Sequence, residues 1–319
     1  MIQSLGRYKI IKQIGRGAMG VVYEAQDPLI DRIVAIKTIN LNDLTSDEKK
    51  EYEARFQLEA RSAGRLSHPN IVTIHDLGEC NGVPYIAMEL LDGEELEHML
   101  KDGQKLPAQE TLNIMIQVAT GLAYAHEHGI IHRDVKPSNI MVLKGGRVKI
   151  ADFGIARMDS WRLNTQSGKL LGSPMYMSPE QVSGHSVDLR SDIFSVGTLM
   201  YRMLSGEMPF SGNNTHSIIY KIVNEEPPKP SSLNAEIPSK LDSIVMKCLS
   251  KIPDERYQNA HDLAEDLRAC RKKLQRANTG PDQVKVESAP NNNLRLLKIA
   301  GVFLLLLVLF ELVEEFFLG

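Results

Sequence analysis

The sequence predicts an α+β fold in two lobes, a small β-rich lobe over residues 1–91 and a larger helical lobe over 92–275. Three observations carry this reading. The first 90 residues show mostly strand-type alternation around one charged, helix-spaced segment. After Asp92-Gly93 the spacing turns helical, with one hairpin interrupting it. The 319 residues are 43% hydrophobic and 24% charged, which is ordinary for globular chains and long enough for about two compact units.

Element by element, residues 8–14 alternate, a glycine-rich break follows, and 21–25 alternate again. Residues 32–39 are β-branched and apolar. Residues 46–66 are charged at helical spacing and end near His68-Pro69. Residues 71–77 and 83–90 flank Asn81-Gly82, a pair that favours a two-residue hairpin turn. Helices are expected over 108–128, 188–205, 215–224, 238–250 and 259–274. The interrupting hairpin is 140–143 with 148–151, around Gly145-Gly146.

Composition excludes several classes. Lys and Arg number 37 against 40 Asp and Glu, so no general basic field draws the chain to nucleic acid. Cys80, Cys248 and Cys270 form no C-x-x-C pair, which fits neither a zinc site nor a disulfide framework and points to a reducing compartment. The N-terminus has Arg7 but no long apolar core, so a signal peptide is not expected.

The C-terminus departs from the globular pattern. Residues 299–310 are uninterrupted and apolar, and 296–313 hold only Lys298 and Glu311 as charges. As a helix this segment reaches ~27 Å, just short of a hydrocarbon core of about 30 Å. It is apolar on all faces, so it is not an interfacial helix. The alternative is a buried core or partner-binding helix. The expected order is a linker over 276–295, a transmembrane helix over 296–313 and a short tail over 314–319. The stretch 278–293 is polar, with Pro and Asn, as linkers are. Arg271, Lys272, Lys273, Arg276, Arg295 and Lys298 precede the run, while Glu311, Glu314 and Glu315 lie at its far end. By the positive-inside rule the main domain is expected to face the cytosol, the chain being a single-pass protein of the inner (cytoplasmic) membrane.

The motifs narrow the chemistry. Gly15, Gly17 and Gly20 give G-x-G-x-x-G followed by Val21-Val22, a strand pattern. A dinucleotide fingerprint would open a helix there, and no Walker A motif occurs. Strand, glycine loop, strand makes a lid whose N–H groups can approach phosphate, because no Cβ intervenes. Val34-Ala35-Ile36-Lys37 sets one lysine in an apolar strand, where its ammonium needs an anionic partner. Glu59 is the candidate carboxylate; it would otherwise ladder with Arg55 on the helix surface. The run from Ile131 to Asn139, I-H-R-D-V-K-P-S-N, lies in a loop before the 140–143 strand. There Asp134 can take a hydroxyl proton, Lys136 can sit on a transferring phosphate, and Asn139 offers an oxygen to a hard cation. Ala151-Asp152-Phe153-Gly154 follows the hairpin, and Asp152 suits Mg²⁺, which prefers oxygen ligands and retains waters. His126 and His128 read as packing residues at a helix end.

With these motifs in order, followed by Ser178-Pro179-Glu180, the sequence resembles a eukaryotic-type (Hanks-type) serine/threonine protein kinase over residues 5–274, close to the bacterial membrane-anchored members. The resemblance implies the bilobal protein-kinase-like fold, ATP with Mg²⁺ (Mn²⁺ as an alternative), and protein substrates with Ser or Thr acceptors. It implies that Lys37, held by Glu59, grips the α/β-phosphates, that Asp152 and Asn139 hold the metal, and that Asp134 is the base with Lys136 beside it. It further implies ATP contacts at Gly15, Gly17, Gly20, Val22, Ala35, Glu89, Leu91 and Met141, with a hinge over 89–91 after Met88. Asp192 is implied as the brace of the catalytic loop and Arg256 as the partner of Glu180. Lys136 two residues after Asp134 is the serine/threonine form of the motif. The alternative is a pseudokinase scaffold acting by protein binding. Such chains usually lack the lysine or one of the two aspartates, and this sequence has Lys37, Asp134 and Asp152.

Departures from the family pattern are Gly172-Ser173-Pro174 for the commoner G-T-x, and Ser138 where kinases favouring basic peptides often carry Glu. Glu95 can still meet a basic side chain or the ribose, but a basic-substrate preference is not supported. With residues 314–319 after the apolar run, an external sensor in this chain is not expected. Arg133 beside Asp134 suits an anionic partner, so phosphorylation of Thr165, then Ser167, is expected to order the loop. Ser173 is a poorer switch, since its hydroxyl belongs at Asp134. Trans-autophosphorylation implies at least a transient homodimer.

Overall fold

The computed structural model describes residues 3–17, 20–39, 45, 49, 57, 60–61, 63–153 and 174–278. The first lobe is a six-stranded antiparallel sheet in the order β1-β2-β3-β4-β6-β5. Its strands are β1 (Ser4–Leu5), β2 (Tyr8–Gly17), β3 (Gly20–Asp27), β4 (Arg32–Thr38), β5 (Ile74–Cys80) and β6 (Val83–Glu89). Asn81 and Gly82 both have positive φ, 53° and 73°, the conformation that a tight hairpin with right-handed strand twist requires. Of the helix expected over 46–66, the described residues Lys49, Gln57, Ala60, Arg61 and Ala63 are helical, and the chain leaves the helix by Gly64.

Strand alternation gives this sheet two different faces. Val34 and Ile36 of β4 and Tyr85 and Ala87 of β6 join Leu5, Tyr8 and Ala25 in one small core. The intervening residues point the other way. Lys37 pairs in register with Ile86, and Ala35 with Met88. On that side Ile39, Ala60 and Ile86 form a second small cluster.

The second lobe begins with a three-stranded sheet in the order β7-β8-β9: β7 (Gly93–Glu95), β8 (Ile140–Leu143) and β9 (Val148–Ile150). Its helices are α1 (Leu96–Met99), α2 (Ala108–Glu127), α3 (Pro179–Val182), α4 (Leu189–Ser205), α5 (Thr215–Asn224), α6 (Ser239–Cys248) and α7 (Ala260–Asn278). They enclose the main core, which α4 crosses almost wholly buried from Ser191 to Ser205. Asp188 caps α4, accepting from the Arg190 N–H, and Gly206 ends it at φ 78°, where a side chain would be strained. The compact packing of the described residues runs as far as Leu274. The expected transmembrane helix at 296–313 lies outside the described residues. Among the described residues no helix is long and apolar enough to cross a membrane.

Candidate active site

A cleft of about 640 Å³ opens where the six-stranded sheet meets β7, β8 and the end of β9. The face of the sheet opposite the Tyr8 core supplies its roof. Val22, Glu24, Ala35, Lys37 and Met88 all line it, as the β3–β4 and β4–β6 registers require. Gly15 lines it beside Val22, as do Glu89, Leu91, Met141 and Asp152. Gly17 and Gly20 pair with each other at the end of the β2–β3 hairpin and are not among the lining residues. A side chain at Gly20 would collide with the Thr38 carbonyl, so this glycine answers to strand packing in the structure.

Lys37 donates from Nζ to Asp152 Oδ2 at 2.6 Å, and both side chains are partly exposed. The carboxylate expected beside this lysine, Glu59, lies outside the described residues. Asp152 has φ 58° and Arg133 has φ 63°. Non-glycine residues in this region cost of order 1–3 kcal/mol each and persist only when the surroundings over-determine them. Here those surroundings can be named. Asp192 on α4 accepts from the Arg133 N–H at Oδ1 (2.7 Å) and from the His132 N–H at Oδ2 (2.8 Å). His132 meets the Ala151 carbonyl through Nε2 at 2.9 Å and packs its ring on Phe153. The loop at 131–139 and the turn at Asp152 are therefore clamped to the most buried helix and to each other.

Within that clamp, Lys136 Nζ lies 2.7 Å from Asp134 Oδ2. Asn139 donates from Nδ2 to the Asp134 carbonyl at 2.8 Å and to its Oδ2 at 3.2 Å. The Asn139 carbonyl accepts from the Ala151 N–H at 2.8 Å, directly before Asp152. With its amide N–H groups so engaged, Asn139 keeps Oδ1 as an acceptor. Asn139 Oδ1 and the Asp152 carboxylate are both hard oxygens, a donor set that fits Mg²⁺ sharing its remaining positions with waters and phosphates. Among the described residues no group of three His, Cys, Asp or Glu could hold a metal.

The sequence profile of the protein kinase domain matches residues 8–267. The chain belongs to the protein kinase family. A probable serine/threonine-protein kinase of Streptomyces coelicolor is 44% identical over 83% of the chain and 40% of its own length. The serine/threonine-protein kinase PrkC of Bacillus subtilis is 40% identical over 83% of the chain and 40% of its own length. For PknB of Mycolicibacterium smegmatis the figures are 40%, 82% and 42%. The chain thus spans about two fifths of the length of these curated relatives. Members of the family use ATP with a divalent metal ion.

Away from the cleft of this kinase domain, Arg256 binds Glu180 through two parallel bonds of 2.8 and 2.9 Å. Burial pushes the Glu180 carboxyl up, but Arg256 and Ser191 outweigh it and hold it below the ordinary value. Thr165, Ser167 and Ser173 lie outside the described residues. The Arg133 carbonyl accepts from Gln181 Nε2 at 2.9 Å.

Sequence reasoning missed several residues. His126, read as packing, sits beside Asp192 with Nε2 2.8 Å from Oδ2, so it belongs to the brace of the catalytic loop. Its spacing, six residues before His132, carries no chemical signature. Tyr176 is tied to Arg202, which also reaches Glu97 and the Leu100 carbonyl. Burial raises the Tyr176 hydroxyl to about 12, with Arg202 opposing the shift. Lys149 is buried between Val148 and Ile150 and bound to Glu89. A lone charge inside a three-residue apolar strand was the available signal.

Proposed function

We propose that the chain is a serine/threonine protein kinase that transfers the ATP γ-phosphate to protein hydroxyls. The observation that supports it most is the chain of contacts from Lys136 through Asp134 and Asn139 to Ala151, with Asp152 next and paired to Lys37 in the cleft. Phosphoryl transfer needs positioning and charge neutralisation more than covalent chemistry. Lys37 binds phosphate oxygens once nucleotide displaces its bond to Asp152. The acceptor hydroxyl attacks the γ-phosphorus as the bond to the β-phosphate oxygen breaks, and ADP leaves. Asp134 orients that hydroxyl and receives its proton, and Lys136 offsets charge on the moving phosphoryl group. Asp152 and Asn139 would hold Mg²⁺, which when bound neutralises phosphate charge.

The Ser/Thr preference is supported by Lys136 and by the names of the relatives. The same reading includes activation by phosphorylation at Thr165, then Ser167, one copy acting on another. It also includes a tether through residues 296–313 with the kinase domain in the cytosol, supported by the apolar run and the basic residues before it. Incubation with γ-labelled ATP and Mg²⁺, followed by phosphoamino-acid analysis, tests the activity. Label on Ser and Thr is expected; no transfer to the chain or to added proteins would overturn it. Retention of the chain by membranes through alkaline wash tests the tether, and release by that wash would contradict it.

A further inference from the structure

Lys149 is 9% exposed, and its ammonium has two partners across a junction of three segments. Nζ donates to Glu89 Oε1 at 2.5 Å and to the Ile71 carbonyl at 3.0 Å. Glu89 is the last residue of β6 and lines the cleft. Its carboxylate also accepts from the Thr73 N–H at 2.7 Å, and its own N–H donates to the Thr73 carbonyl at 3.0 Å. Burial pushes the Glu89 carboxyl up, yet Lys149 and the Thr73 N–H together hold it below its ordinary value.

The segment 70–73 between them is stitched on its other side to β9. The Val72 N–H donates to the Ile150 carbonyl and the Ile150 N–H to the Asn70 carbonyl, each at 2.9 Å. Asn70 Nδ2 reaches the Val148 carbonyl at 2.9 Å and Gln117 of α2 at 3.1 Å. The strut 70–73 is thus anchored to the helical lobe at one end and to the end of β6 at the other. Lys149 is the side chain that joins both ends directly. It stands three residues before Asp152.

We propose that Lys149 and Glu89 are a positioning pair that holds the end of β6 against the strand leading to Asp152, and so sets the affinity of the cleft for nucleotide. Neither side chain needs to touch the phosphates. The pair fixes the separation between the wall that ends β6 and the carboxylate that faces Lys37. Removing Glu89 leaves the buried Lys149 ammonium without its counter-ion, and removing Lys149 takes from the half-buried Glu89 carboxylate the charge that holds it in place. This inference rests on the kinase reading above.

The test is titration of the full chain with Mg-ADP, and steady-state kinetics in ATP, for Lys149→Met, Glu89→Met, Lys149→Met/Glu89→Met and Lys149→Arg. Each single variant is expected to weaken ADP binding about tenfold, and the double variant no more than about tenfold, because one coupled interaction is lost once. Lys149→Arg should stay within about twofold, since the guanidinium keeps charge and donors. In Lys149→Met the kinetic loss should fall on the KM for ATP, with kcat changed less than about threefold, as expected for loss of uniform binding. A merely structural role would instead lower the melting temperature while leaving the affinity of the folded fraction unchanged. Wild-type affinity in both single variants, losses that multiply in the double variant, or a loss confined to kcat would each overturn the pairing. A wild-type chain that binds no nucleotide would overturn the kinase reading and this inference with it.

Discussion

Among the described residues Arg256 and Lys37 each bind one carboxylate, but their surroundings differ. The Arg256 side chain is fully buried and Glu180 nearly so. Its two bonds to Glu180 are joined by donations to the carbonyls of Ser250, Arg190 and Lys251, so all five guanidinium N–H groups are used. Lys37 and Asp152 share one bond and stay 24% and 31% exposed. A closed pair of the first kind has nothing left to offer a ligand. An open pair of the second kind keeps free donor and acceptor capacity at the cleft, and water can take over when the bond breaks. The molecule therefore places its saturated charges inside the helical lobe, and its exchangeable charges at the cleft.

Breaking the closed pair should have the largest effect on folding. Arg256→Ala leaves the Glu180 carboxylate buried without its counter-ion, at a cost of about 3–5 kcal/mol by urea denaturation. The sign of the pH dependence follows from the depressed Glu180 value. That stabilisation is complete above the ordinary carboxylate range and is lost as pH falls through the folded value. Glu180→Gln should therefore flatten the acid limb of the stability curve. A variant as stable as wild type at pH 7 would show that the pair is dispensable.

Breaking the open pair from the lysine side should do the reverse. Lys37→Met is expected to lower phosphoryl transfer by about 10²–10³-fold, the usual cost of one charge-stabilising donor. The change in stability should stay within about 1 kcal/mol, since the lost pair is partly solvated. A fall in stability as large as that of Arg256→Ala would erase the contrast.

Asp192 lies between the two cases, because it is fully buried yet serves the catalytic loop. Asp192→Asn keeps the shape and removes the charge that accepts the His132 and Arg133 N–H groups. Misplacement of the loop by about 1 Å would cost of order 10²-fold in kcat. Retained activity with the loop N–H groups unprotected in hydrogen exchange would contradict the bracing role.

The smallest expected effect belongs to Lys251. Burial pushes its ammonium down to about 8, although Nζ donates to the Lys221 and Ile222 carbonyls and lies over the Phe210 ring. The unfolded chain binds this proton up to its ordinary value near 10.5, so stability rises with pH between the two values. Lys251→Met should remove that slope, a difference of roughly 1 kcal/mol after allowing for partial exposure. Parallel pH profiles of wild type and variant would refute the assignment.

The contrast also explains which parts could be read in the sequence. Strands and helices with long periodic patterns were legible. The segment 215–224 is the helix it was expected to be, because Asn214 caps it and Ile218 and Ile222 face the core. The site motifs were legible because their residues sit close together along the chain. β7 was missed because Gly93-Glu94-Glu95 carries no β-branched residue, and its strand form comes from pairing with β8. The His126–Asp192 and Lys149–Glu89 contacts span 66 and 60 positions, and no local pattern announces them. Long-range polar pairing is fixed by tertiary packing, so residues of the support are harder to read than residues of the chemistry.

In the proposed mechanism Asp152 serves phosphoryl transfer while the fold is held elsewhere. Single-turnover transfer from ATP and thermal unfolding, measured together on wild type and Asp152→Asn, test it most directly. The melting temperature is expected to stay within about 2 °C of wild type, and transfer to fall at least about 100-fold even with saturating Mg²⁺. Transfer at the wild-type rate by a folded Asp152→Asn chain would contradict it.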